Sequence, residues 1–179
     1  MPSPIGHTLA GCAVAFACIP PGTPQAWEAW MLCLISANLP DVDFIPGFLS
    51  GNPRAFHRGP SHSVIAALVV AGLGASLLTW LSVPWLTRVE LIFLAYGSHV
   101  ALDYSTPGRG VLLGWPFSRH RQRASHPWFL SVPFGRTRQN ASTRRGSWHL
   151  LRAIRREILL MSPGVVVLAL VRGLLGVSQ

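Results

Sequence analysis

The stretch Ser63–Val83, SVIAALVVAGLGASLLTWLSV, decides the class of fold. No formally charged residue occurs between Gly59 and Thr87, and every face of a helix drawn through this run is apolar. Such a helix belongs in the core of a large protein or in lipid. Extended over Ser63–Trp85 it reaches about 34 Å at roughly 1.5 Å per residue, enough to cross a hydrocarbon core of ~30 Å. Pro60 suits its first turn and Pro84 closes the run. Composition agrees with lipid as the main solvent. Only 12% of the 179 residues are charged and mean hydropathy is +0.39, where soluble domains carry roughly 25% charged residues.

Working outward, the punctuation predicts further helices. Ser3-Pro4 is an N-cap followed by proline and opens an apolar helix ending before Pro20-Pro21. Thr23-Pro24 repeats that signal for a second helix, terminated by Pro40. Thr87-Arg88-Val89-Glu90 reads as a capping box opening a helix through Asp103, and Ile158–Val177 is a last apolar run crossed by Pro163. The expectation is an all-α, polytopic membrane protein of about five membrane helices, one domain over residues 1–179, with a basic connection at about 106–147. Cys12, Cys18 and Cys33 lie in apolar stretches and read as packing residues rather than disulfides. The N-terminus lacks the basic flank of a signal peptide, so no cleavage is expected.

Charge sets the orientation. The chain has no lysine, and eleven of its fifteen arginines fall between Arg109 and Arg156, a stretch without an acid. The positive-inside rule places this connection in the cytoplasm. Alternating helices then bring His7, Asp41, Asp43, His57, His62, His99, Asp103 and Glu157 to the cytoplasmic face. Glu28, Arg88, Glu90 and Arg172 fall to the other. Ionisable groups at membrane depth are expensive and usually functional.

The polar residues have the spacing of a metal site. His99 and Asp103 lie four apart on one helical face, where two side chains can grip one cation. His57-Arg58-Gly59-Pro60-Ser61-His62 folds two histidines around a helix start, with Arg58 placed to hold a phosphate oxygen. Asp41 and Asp43 in LPDVD repel each other unless a cation sits between them. Imidazole with carboxylate suits zinc, manganese or iron, and excludes a thiolate site. Each element has a plainer reading: a helix cap for His99/Asp103, a polar loop for 57–62, a solvated turn for 41–43, a core histidine for His7 and an arginine partner for Glu157.

Together these motifs resemble the YdjM-like, membrane-bound metal-dependent hydrolases of bacterial inner membranes. The resemblance is carried by His7, LPDVD, HRGPSHS, SHVALDYST and the LLGWPFS stretch around Trp115-Pro116-Phe117, in that order. It implies distant similarity to the zinc-dependent phospholipase C and P1 nuclease group. It also implies two or three divalent ions, Zn²⁺ first with Mn²⁺ or Mg²⁺ as alternatives. His7, Asp41, Asp43, His57, His62, His99 and Asp103 are the expected ligands, and Asp41, Arg58 and Glu157 the expected catalytic residues. The expected substrate is an anionic phosphoester such as a lipid phosphoester, hydrolysed at the cytoplasmic face. The rival reading is a non-catalytic protein with a structural metal, whose arginines bind anionic lipid or, less readily, nucleic acid.

Overall fold

The computed structural model describes residues 3–20, 22–52 and 56–125, together with Arg155, Ile158, Leu159 and Leu170 as single helical positions. Five α-helices lie among them: α1 Pro4–Cys18, α2 Ala26–Ser36, α3 Phe44–Leu49, α4 Val64–Leu77 and α5 Trp85–Tyr104. Short 3₁₀ turns occupy Leu39–Asp43 and Pro60–His62, and Val111 and Gln122 form one isolated antiparallel bridge. The expected fifth membrane helix at Ile158–Val177 falls, apart from those single positions, outside the described residues. So do Glu157 and the basic connection beyond Ser125.

Serine side chains cap two helix starts, the expected one at Ser3-Pro4 and a second at Ser63, three residues after Pro60. Ser3 Oγ accepts the Gly6 N–H with Pro4 at the first helical position, and Ser63 Oγ accepts the Ala66 N–H. α5 is the central post, packing against α1, α2 and α4. Small residues make those approaches close. Ala67, Ala71 and Ala75 form a buried stripe on α4, and on α1 Gly6, Ala10, Gly11 and Ala15 are buried. Gly11 marks the tightest point, because a Cβ there would meet Ala37 Cβ at 2.8 Å and the Cys33 carbonyl oxygen at 2.9 Å.

Two expected boundaries are corrected. The run Ser63–Trp85 is not one continuous helix. α4 stops at Leu77, and residues 78–84 turn back before α5 begins. Two buried charged side chains hold that turn. Glu28 accepts the N–H groups of Ser82 and Val83, and Arg88 Nη1 donates to the carbonyls of Leu78 and Leu81. Apolar composition alone would continue the helix, but backbone groups with fixed ionic partners can leave it. α5 accordingly starts at Trp85, ahead of the expected cap at Thr87. The second correction is α3, an extra helix following α2 at a bend.

No single helix among the described residues is long and apolar enough to cross a membrane. Ala26–Ser36 and Leu39–Leu49 pass that test together, as a pair bent by 41°. Large apolar side chains nevertheless point outward from several helices, among them Ile35 of α2, Leu68, Leu73 and Leu77 of α4, and Leu86 of α5.

Gly11→Val is expected to lower the midpoint of thermal unfolding in detergent, since overpacking costs about 1–3 kcal/mol. Gly72→Ala, where a Cβ meets nothing within 4 Å, should leave it unchanged or raised. Equal melting of both variants and the parent would contradict the close α1–α2 contact.

Candidate metal centre

The start of α1, the turn after α2, the turn before α4 and the end of α5 converge at one end of the bundle, as alternating helices require. α5 presents His99 and Asp103 one turn apart. α1 presents His7, one turn before the Gly11 contact. The turn Leu39–Asp43 carries Asp41 and Asp43, and the 56–62 loop carries His57, Arg58 and His62. Gly59 permits that loop's tight path, because a Cβ would lie 2.7 Å from the Phe56 carbonyl oxygen.

Asp103 is the meeting point. Its carboxylate, with no exposed surface, lies 3.1 Å from His62 Nε2, 3.9 Å from His57 Nε2, and 4.0 Å from both His7 Nε2 and His99 Nε2. His62 Nε2 and His99 Nε2 are 3.2 Å apart, and the His7 and His99 rings stack at 3.5 Å. Three imidazoles have their outer nitrogen engaged elsewhere. His99 Nδ1 donates to the Ala37 carbonyl at 2.7 Å. His57 Nδ1 faces Asp43 Oδ1 at 3.1 Å, and His62 Nδ1 faces Asp43 Oδ2 at 3.2 Å. A carbonyl only accepts, so the neutral His99 ring keeps its lone pair on Nε2. An outer partner that turns Nε2 toward a common centre is the usual arrangement around metal-ligating histidine.

Four of the five buried side-chain polar atoms without partners among the described residues lie at the same place, the fifth being Arg88 Nε at the far end of the bundle. Both ring nitrogens of His7, His57 Nε2 and Asp41 Oδ1 are buried and lack hydrogen bonds. Buried polar atoms are nearly always satisfied, so each exception calls for a reason. A cation among them supplies it. Three overlapping triads have ligand atoms within 4.8 Å of one another: His7/Asp41/His99, Asp41/His57/His62 and His62/His99/Asp103. The described residues therefore fit a divalent ion.

Two sequence-predicted residues stand in different places from the rest. Asp43 lies behind His57 and His62, bonded to their outer nitrogens and to Ser61 Oγ at 2.7 Å, and belongs to none of the three triads. Arg58 is buried and turned inward. Its Nε and Nη2 donate to the two oxygens of Asp103 at 3.0 and 2.8 Å, and Nη2 also reaches Thr106 Oγ1. The guanidinium expected to meet a substrate oxygen is thus committed to Asp103. Arg58 also adopts φ 61°, a left-handed conformation costing of order 1–3 kcal/mol unless its surroundings hold it. The bidentate pair, and the Arg121 Nη1 bond to the Arg58 carbonyl at 3.0 Å, do so.

Burial works against a charged His62, but hydrogen bonds to Asp103 and Asp43 outweigh it and push its pKa up to about 9. Without a metal, a proton on this ring is the cation between the two carboxylates. No sequence signal points to the Ala37 carbonyl, Thr106 or the Phe44 ring, which stacks on His57 at 4.0 Å. Ser61 was visible only as part of HRGPSHS.

The family model of the YdjM inner membrane proteins matches residues 1–177, and the chain belongs to that family. No curated protein and no solved structure matches it.

Asp103→Ala and His62→Ala are expected to abolish stoichiometric zinc binding by the purified protein. Asp43→Ala, acting through His57 and His62, should weaken it about 10–100-fold. His120→Ala, an exposed residue, should leave it unchanged. Zinc titration with a competing chelator reads all four; equal affinities would refute the assignment.

Proposed function

We propose that this inner membrane protein is a metal-dependent hydrolase of phosphoesters, acting at the cytoplasmic ends of its helices. The observation that carries the reading is the convergence of four imidazole Nε2 atoms on one buried carboxylate, with both His7 ring nitrogens left unpartnered. His7, Asp41, His57, His62, His99 and Asp103 are six donors, more than the four a single zinc ordinarily takes. The set suits two or three ions, with Asp41, His62 and His99 shared between triads. Divalent ions held there supply an activated water and neutralise charge on a phosphoryl oxygen.

The chain's own residues divide the remaining work. Asp41 lies at the partly exposed edge of the cluster, where the carboxylate oxygen that does not hold metal can accept a proton from the attacking water. Asp43 orients two imidazoles. Arg58, braced by Thr106, holds the Asp103 carboxylate in one rotamer, so the cluster keeps its shape while a substrate exchanges. The arginines that follow α5 favour the cytoplasmic side for this end of the bundle. A purely structural metal requires none of the edge exposure at Asp41, and turnover separates the two readings.

Zinc- or manganese-loaded protein in detergent is expected to hydrolyse a phosphomonoester or phosphodiester, and a chelator should abolish the activity. Asp41→Asn should lower kcat at least about ten-fold, equivalent to about 1.4 kcal/mol. A metal-replete protein inert toward both substrate classes would leave the structural-metal reading in its place.

A further inference from the structure

We propose that the substrate is an amphiphile drawn from the bilayer, its hydrocarbon part lying on the outer face of α3 and its phosphoester head reaching the cluster between Asp41 and His57. The proposal rests on the hydrolase reading and names its substrate class.

The cluster has one accessible side. His7, His62, His99 and Asp103 have no exposed side-chain surface, whereas Asp41 retains 17% and His57 9%. The surface beside those two residues is apolar. Val42, Ile45, Phe48, Leu49 and Phe56 are all at least half exposed, with Phe48 at 67% and Leu49 at 85%. Val42 follows Asp41 directly, and Phe44 of α3 stacks on the His57 ring. A polar site serving a water-soluble substrate has no use for an apolar lip at its mouth. Contiguous exposed apolar surface rimmed by polar groups marks a membrane or ligand contact.

The identity of the hydrocarbon follows from continuity. α3 is the second arm of the bent pair Ala26–Ser36 and Leu39–Leu49, whose combined length and composition suit a membrane span. Met31 and Ile35 of the first arm are also exposed, so the lip continues a surface made for lipid. Asp41 and Asp43 lie in the 3₁₀ turn that opens the second arm, directly after the break at residues 37–38. Broken helices at membrane depth are tolerated where the irregular backbone lines a site, and such breaks commonly hold the binding residues. Exposed Arg119 and Arg123 follow α5 at this end. Arg121 ties their loop to Arg58, placing cationic groups where an anionic head would approach.

Two measurements on the zinc-loaded protein in lipid nanodiscs test this. First, the tryptophan introduced by Phe48→Trp should be quenched by acyl-chain-brominated phosphatidylcholine, measured as the difference from the parent protein. Second, kcat/KM for phosphomonoesters of straight-chain alcohols should rise at least ten-fold from butyl to hexadecyl. That rise should vanish in Ile45→Ser/Phe48→Ser/Leu49→Ser protein that retains its zinc. Activity indifferent to chain length overturns the proposal and leaves the hydrolase reading standing. So does an unquenched tryptophan, as when another part of the chain or a second copy covers the lip. Absence of hydrolysis at every chain length refutes the hydrolase reading, and this proposal with it.

Discussion

A fully buried carboxylate cannot stay ionised among apolar helices unless cations surround it, and Asp103 is where this chain meets that requirement. Arg58 binds both oxygens from one side. On the other, four imidazole Nε2 atoms stand within 4.0 Å. Each comes from a segment that must be correctly placed: α1 for His7, the 56–62 loop for His57 and His62, α5 for His99. The carboxylate therefore acts as the knot of the bundle end, and an error in any of these segments is felt there as an unpaired buried charge.

The surrounding architecture follows from holding that knot still. Alanine and glycine bring α1, α2 and α4 close to α5, so the ligand-bearing ends overlap. The Ala37 carbonyl that fixes His99 belongs to the same residue whose Cβ faces Gly11 of α1. Helix packing and imidazole orientation thus share one contact. At the far end of the bundle, Glu28 and Arg88 fix the α4–α5 turn through backbone groups. The two ends use buried charge differently, the far one to hold backbone and the near one to gather ligands.

Much of this was legible in the sequence, for identifiable reasons. Proline and N-cap signals are local, so the start of α1 could be read from Ser3-Pro4, whereas Pro60, expected in the first turn of α4, opens a separate 3₁₀ turn and α4 begins at Val64. The alternation of helix ends is also simple, and by itself it brings His7, Asp41, His62 and Asp103 to one face. The length of α4 was not legible, because its end depends on Glu28, 54 residues before its partner Ser82, and on an Arg88 side chain that turns back to the Leu78 and Leu81 carbonyls. α3 was missed because its apolar residues lack a helical period of useful length. The partner of Arg58 was hidden for a related reason. A guanidinium beside a helix start is suited to an anion, and nothing local says that the anion is Asp103, 45 residues on, rather than a substrate. Asp43 looked equivalent to Asp41; only the fold shows one facing into the cluster and the other lying behind two imidazoles.

X-ray absorption at the zinc edge of the purified, zinc-loaded protein tests whether the His/Asp cluster holds a metal through imidazole nitrogen and carboxylate oxygen. Imidazole scattering is expected, with nitrogen and oxygen donors at about 2.0–2.2 Å and no sulfur, lost together when His62 and Asp103 are replaced by alanine. A sulfur shell from Cys12, Cys18 or Cys33, or a spectrum unchanged by those replacements, would contradict it.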